Sequence, residues 1–493
     1  MVPGSQRKSA EAARTAGATP LPWSQLGTLL AVQLAMPVNY SLIQPFVFEM
    51  VKSFDVVRSP KDVSFYAGVL FMSYSVCQAI TTTYWGPLSD RIGRRPTLLM
   101  GLAGDLVTFV LFGLSKSFWW ALAARSLNGF FTGNSAVVRS AIAEMADDTN
   151  RSRMMALLPL VWHVGVMGGG AAGGLLADPV RQYPGLFGSS ELFRTYPYLL
   201  PCLAGSLTTA AGLAVGLFRL KETLVRDPPD SAPAAEAGET TPLVVAAAAR
   251  RPAARPGRRL SPGLLTPVAR RVLQTNLLMY LAMMMMTQTY PVFAATPPGD
   301  GGLGFSPRSI GFSLAVAGVA VVYLQLVAYP RLERRFGALW CYRTGMKVMV
   351  PTFFAMPCLS YLARHIERLA GDQQARLPQA GVERALLWAL LVALILVRIT
   401  GDVLAFTSVG LLVVNIAPSR TTLGAMTGMQ QLLVACTGIV GPLVAGTLWS
   451  WSIKHALPYP LNAHLVWVLC GTLMALAWAH SCALPSSVNV FAA

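Results

Sequence analysis

Arg398 and Asp402 stand four residues apart within 385–413, an apolar stretch that carries no other charge. On a helix this spacing puts both side chains on one face, close enough to pair. An ion pair offsets the cost of two charges in a low-dielectric interior, and its carboxylate can exchange the arginine for a proton. A permanent brace uses the same two residues, and the spacing leaves both readings open. Asp105 is a second acid in an apolar run, with no opposite charge one turn away. His163 sits in another such run, where an imidazole either carries a proton near neutral pH or is a satisfied core histidine.

A second group of residues suits binding rather than proton chemistry. Gln33, Pro37, Tyr40 and Gln44 recur at helical spacing and form one stripe, which reads as a cavity wall. Asn276, Tyr280 and Thr287 form a similar stripe further on, next to the run Met283 to Met286, and His163 joins the set. Flexible thioethers and aromatic rings around a few amides fit a mostly apolar small molecule. Taken singly, each of these polar groups also reads as an interhelical hydrogen bond.

The elements that must position these residues follow from composition. The chain has 493 residues, 54% hydrophobic and only 12% charged, against about 25% charged in a soluble domain. With a mean hydropathy of +0.51 along the chain, a soluble globular enzyme is excluded. Apolar runs near the length of a bilayer crossing lie at 24–47, 64–85, 97–115, 118–138, 154–177 and 198–219, then at 272–295, 309–330, 341–363, 385–413, 421–450 and 463–484. The expected architecture is an all-α polytopic membrane protein with twelve transmembrane helices in two six-helix bundles, 24–219 and 272–484. The Pro-, Ala- and Arg-rich stretch 220–271 reads as a disordered cytosolic linker, with short cytosolic tails at 1–23 and 485–493.

The net charge of +17 follows from topology. Lys and Arg concentrate in the connections on the side of the two termini, which the positive-inside rule places in the cytosol. No nucleic-acid partner is needed to explain it. The seven cysteines form no CxxC and read as unpaired thiols in or beside the membrane. The polar start of the chain lacks the pattern of a cleaved signal peptide.

Between the second and third runs stands Trp85-Gly-Pro-Leu-Ser-Asp-Arg-Ile-Gly-Arg-Arg95, followed by Pro96. Glycines permit a tight turn between helices, Asp90 suits a helix N-terminus, and Arg91, Arg94 and Arg95 can pair with carboxylates or lipid phosphates. This segment resembles the G-x-x-x-D-R-x-G-R-R loop of the major facilitator superfamily, which assigns Gly86, Asp90, Arg91, Gly93, Arg94 and Arg95 to a gating loop. Arg331-Leu-Glu-Arg-Arg-Phe-Gly337 repeats it in the second half with Arg334 in the place of Asp90. Ala124-Arg-Ser-Leu-Asn-Gly129 with Gly133 resembles the superfamily's R-x-x-x-G-x-x-x-G pattern, which implies a role for Arg125 near the proton-coupling acid. Its other reading is a structural hydrogen-bond donor.

Gly165, Gly169, Gly170, Gly173 and Gly174 are similar to the antiporter motif G-P-x-x-G-G, with Gly170 where proline is usual. Gly441, Pro442 and Gly446 form the second-half counterpart. Small residues one and two turns apart allow close helix packing, expected here between the halves. Tyr183-Pro-Gly-Leu-Phe-Gly, Leu192-Phe-Arg-Thr-Tyr-Pro-Tyr-Leu-Leu-Pro201, Trp85 and Trp449-Ser-Trp451 resemble the drug:proton antiporter and zinc-induced facilitator-like branch.

There is no GxSxG, HExxH or phosphate loop, so no enzyme is expected, and no cofactor or metal site. The resemblance implies a monomeric multi-pass transporter in the lipid bilayer, of plasma or vacuolar membrane. Its expected work is proton-coupled export of a small organic molecule by alternating access. A uniporter or symporter for a nutrient or organic acid, and a non-transporting sensor on the same scaffold, stay open as alternatives.

Overall fold

The computed structural model describes residues 19–57, 59–133, 135–147, 150–224, 266–371, 377–416, 423–455, 458 and 461–489. The described residues form helices and turns without a strand. Twelve helical rods occupy the twelve apolar runs. In the first half they are α1 (Trp23–Leu42), α2 (Val63–Ile92), α3 (Arg94–Gly113), α4 (Phe118–Thr132 continued by Ser135–Met145), α5 (Arg151–Leu176) and α6 (Leu199–Arg219). In the second they are α7 (Pro267–Ala295), α8 (Pro307–Tyr323, running on to Phe336), α9 (Ala338–Ala355), α10 (Leu377–Asn415), α11 (Leu423–Lys454) and α12 (Leu465–Cys482). Nine of the described helical stretches are long and apolar enough to cross a membrane.

Local chemistry sets several boundaries. Thr266 accepts a hydrogen bond from the Ala269 N–H and Pro267 follows as the first helical residue, so α7 starts inside the stretch expected as linker. Ser306 and Pro307 start α8 in the same way. Lys221 and Glu222, also expected in the linker, pack on the first half: the Lys221 N–H donates to Gln25 Oε1 at 2.9 Å. Residues 225–265, the bulk of the expected linker, lie outside the described residues, as does most of the N-terminal tail. The expected C-terminal tail forms a short 3-10 turn at Ser486–Asn489.

The halves meet along two related seams, α2 against α11 and α5 against α8. Gly68 and Ser64 of α2 touch Pro442 and Gly446 of α11, and Gly170 and Gly174 of α5 touch Leu314 and Gly311 of α8. Backbone-to-backbone approach this close leaves no room for a Cβ. The sequence reading placed all five α5 glycines between the halves, but the structure divides them. Gly165, Gly169 and Gly173 face Pro37, Val38 and Leu42 of α1 within the first half. The run is longer than one seam needs because α5 packs closely on two sides. On α11, Gly441 likewise faces Met284 and Met285 of α7.

Both seams lie towards the end of the rods away from Arg219 and Pro267, here called the distal end. There Ser450 Oγ donates to the Lys61 carbonyl at 2.6 Å, Lys61 Nζ donates to the Ile453 carbonyl at 3.4 Å, and Lys454 pairs with Asp62. The opposite end, which carries Arg219 and Pro267, is the linker end.

Candidate functional site

Asp105 of α3 is 3% exposed and sits at the centre of the first half. Its Oδ2 accepts from Asn39 Nδ2 of α1 at 2.7 Å and from Thr209 Oγ1 of α6 at 3.0 Å. Its Oδ1 accepts from Asn128 Nδ2 of α4 at 2.6 Å. Arg125, fully buried, donates from Nη1 to Asn128 Oδ1 at 2.9 Å. Its guanidinium lies 4.3 Å from the centre of the Tyr74 ring, a cation–π contact. The carboxylate is thus held by neutral donors from three helices, with the arginine one residue removed. A cavity of about 20 Å³, lined by Gln33, Met36, Asp105, Thr132 and Val138, touches this acid. That is room for one water molecule.

A different cluster forms where the halves meet. Arg398 Nη1 and Asp402 Oδ2 of α10 lie 2.7 Å apart, with the side chains 17% and 15% exposed. Asp402 Oδ1 is buried without a hydrogen-bond partner among the described residues. His163 of α5, from the other half, stacks edge-on against Phe406 of α10 at 5.2 Å, one turn from Asp402. Its Nδ1 is 2.9 Å from the Pro159 carbonyl, which assigns the proton to Nδ1 and leaves Nε2 as an acceptor. Tyr280 of α7 packs on the other side of Phe406 at 6.0 Å and its hydroxyl accepts from Gln430 of α11 at 3.2 Å. The pair therefore does not stand isolated within its helix; it lies on α10 beside that helix's contact with α5 of the other half.

At the linker end, Arg94 holds three elements together. It pairs with Asp90 at the end of α2 and with Glu144 at the end of α4, each at 2.7 Å, and also reaches Ser89. Asp90 lies in the last turn of α2, 62% exposed, so in this conformation it caps no helix N-terminus as the sequence reading expected. Glu222 does that work. Its carboxylate accepts from the backbone N–H of Arg94 at 2.8 Å and of Arg95 at 3.1 Å, the first turn of α3. Burial raises the Glu222 carboxyl, but the backbone N–H donors of Leu224, Arg94, Arg95 and Thr223 outweigh it and hold the group below the usual carboxylate range. Gly93 turns between α2 and α3 at φ 110°, where a side chain would be strained and would strike Glu222. Arg91 is engaged as well.

The second-half copy of this corner is built alike with different charge. Gly337 turns at φ 86°, and Asn489 of the terminal 3-10 turn caps α9, its Oδ1 accepting from the Leu339 N–H at 2.8 Å. A neutral amide replaces the carboxylate.

The expected cavity stripe is divided by the structure. Gln33 lines the small cavity at Asp105. Tyr40 packs among Phe71, Tyr74 and Trp162, and Gln44, buried, lies just beyond the end of α1. Asn276 is wholly buried and accepts from Tyr342 of α9 at 2.8 Å, so it braces the second half rather than lining a cavity. Thr287 Oγ1 bonds back to the Met283 carbonyl. Sequence reasoning missed Asn39, Asn128 and Thr209, whose signal was an amide or hydroxyl inside an apolar run. It also missed Glu222, for which no local signal existed.

Comparison with known proteins agrees with this architecture. The family profile of the Major Facilitator Superfamily matches residues 29–371. A multidrug transporter of that superfamily from Aspergillus fumigatus is 28% identical, over 91% of this chain and 81% of its own length. The zinc induced facilitator 1 protein of Arabidopsis thaliana is 28% identical over 88% and 85%. Among solved structures, a D-xylose–proton symporter superposes with a TM-score of 0.66 at 13% identity, covering 95% of this chain and 98% of that one, a likeness of fold. The chain belongs to the Major Facilitator Superfamily: it is an integral membrane transporter, not an enzyme.

Proposed function

We propose that this transporter exports small organic molecules in exchange for protons, alternating between a state closed at the distal end and one closed at the linker end, with the linker end in the cytosol. The observation that carries the reading is the Arg398–Asp402 pair. It stands on α10 beside the contact with α5, with one carboxylate oxygen unpartnered among the described residues and His163 of the other half packed on Phe406 one turn away. A proton on Asp402 would release Arg398 and change the charge that the opposite bundle meets. Such a change favours one arrangement of the halves over the other, which is what coupling requires. The multidrug-transporter relative supports an organic substrate. Asp105 is the second acid, poised beside a cavity of one-water size.

The test uses inside-out proteoliposomes loaded to either sign of pH gradient. Accumulation of a fluorescent amphiphile when the lumen is acidic, abolished by a protonophore and reversed with the gradient, is the expected result. Accumulation driven by the opposite gradient identifies a symporter, and gradient-independent equilibration a uniporter.

A further inference from the structure

The two corners at the linker end share one backbone pattern and differ in charge. Gly93 and Gly337 both turn at positive φ and fix the register between the halves, so each residue after Gly337 has a counterpart 244 positions earlier. In the first corner Arg94 is neutralised by Asp90 and Glu144. In the second, Arg334 takes the place of Asp90, and the neutral Asn489 caps α9 where Glu222 caps α3. Arg334 and Arg335 are exposed, and neither forms an ion pair with a described residue.

A lysine extends this excess of positive charge along the helix. Trp340, Lys347, Pro351 and Phe354 of α9 are all exposed and share one helix face, which in a membrane transporter meets acyl chains. Ala103 holds the matching place to Lys347 on α3 and is exposed in the same way, as an ordinary lipid-facing residue. Lys347 lies about 10 Å further along the axis than Trp340, and no described residue bonds to it. A cation on a lipid-facing surface is costly unless its ammonium turns back to the headgroup level, where a phosphate can meet it. At that level the face runs on into the corner. The Phe336 and Trp340 rings stack at 4.3 Å, and the Arg335 guanidinium lies 5.2 Å from the centre of the Phe336 ring. Cations flank an exposed aromatic pair, with apolar side chains beyond them, which is the pattern a phospholipid's phosphate, glycerol region and chains require.

We propose that Arg334, Arg335, Trp340 and Lys347 form a binding site for one anionic phospholipid of the leaflet at the linker end. The three cations hold its phosphate, the aromatic pair packs on its glycerol region, and its acyl chains follow α9 past Pro351 and Phe354. The first half, with Asp90 and Ala103 at the matching places, lacks the charge for such a site.

The experiment is native mass spectrometry of the purified full chain in detergent, equilibrated with equal amounts of phosphatidylglycerol and phosphatidylcholine. Wild type should retain the anionic lipid about tenfold over the zwitterionic one. Lys347→Leu and Arg334→Asp should each cut that ratio about fivefold, one cation's share, while Lys347→Arg keeps it. Lys221→Gln, which removes an exposed cation outside the site, should leave it unchanged. Equal retention of the two lipids by wild type, or an unchanged ratio in Lys347→Leu or in Arg334→Asp, would overturn the proposal. A fall in Lys221→Gln as large as theirs would mark an effect of net charge and overturn it too, as would displacement of the bound lipid by glycerol phosphate, which would assign the cations to a soluble phosphate. Should Arg334→Asp unfold, Lys347→Leu decides, since leucine suits a lipid-facing position.

Discussion

Two acids of this transporter, Asp105 and Asp402, are held in opposite ways. Asp105 is saturated: donors from three other helices of its own half occupy both oxygens, and no charge touches it directly. Asp402 is unsaturated: one oxygen meets Arg398, the other has no hydrogen-bond partner among the described residues, and Phe406, one turn on, packs against His163 of the other half. A group whose partners all move with it cannot report on the arrangement of the halves. A group at the seam can. The proposal that follows from this comparison is that Asp105 organises the first bundle and Asp402 couples the two.

The largest effect is expected from Asp105→Leu, which removes the acceptor that Asn39, Asn128 and Thr209 share. The loss should be about 3 kcal/mol, seen as a lower melting temperature in detergent, with every transport mode falling in proportion to folded protein. Normal stability in this variant would break the distinction between the two acids. Next comes the seam itself. Gly174→Leu inserts a side chain against Gly311 and should cost the distally closed state about 1–3 kcal/mol, moving the population towards distal opening. Spin labels at Glu191 and Arg384 should then lie further apart than in the parent. An unchanged distance would mean that the seam is not held by close packing.

The smallest effect sharpens a second contrast, between the two corner loops. Glu222→Gln should cost the first corner about 0.3–1 kcal/mol, whereas Asn489→Asp at the corresponding second-half cap should gain a similar amount. The carboxyl of Glu222 is held below its unfolded value of 4.5, so its contribution is full above about pH 4.5 and fades as pH falls through the lower folded value. Amide exchange at Arg94 and Arg95 is the readout: protection in the parent should decline only under acid conditions, and in the variant should be reduced at neutral pH already.

Much of this was legible in the sequence, because a bilayer imposes length and apolarity on every crossing. The twelve runs, the i,i+4 pair in α10 and the glycines that let helices touch are local patterns. The remainder was not local. Asp105 finds its partners 66, 23 and 104 positions away, and the acid that caps α3 stands 128 positions from Arg94. Which way a glycine faces is equally hidden: Gly169 and Gly170 are neighbours in the chain, yet one serves α1 and the other α8.

The central claim, that Asp402 is the coupling acid, is tested most directly by measuring two transport modes of Asp402→Asn on the same vesicles, with protein amount controlled. Asparagine mimics the protonated carboxyl, so exchange of labelled for unlabelled substrate should persist within about twofold of wild type, while accumulation driven by a pH gradient falls to background. Equal loss of both modes would mark the Arg398–Asp402 pair as a brace, and full retention of gradient-driven accumulation would return the coupling role to Asp105.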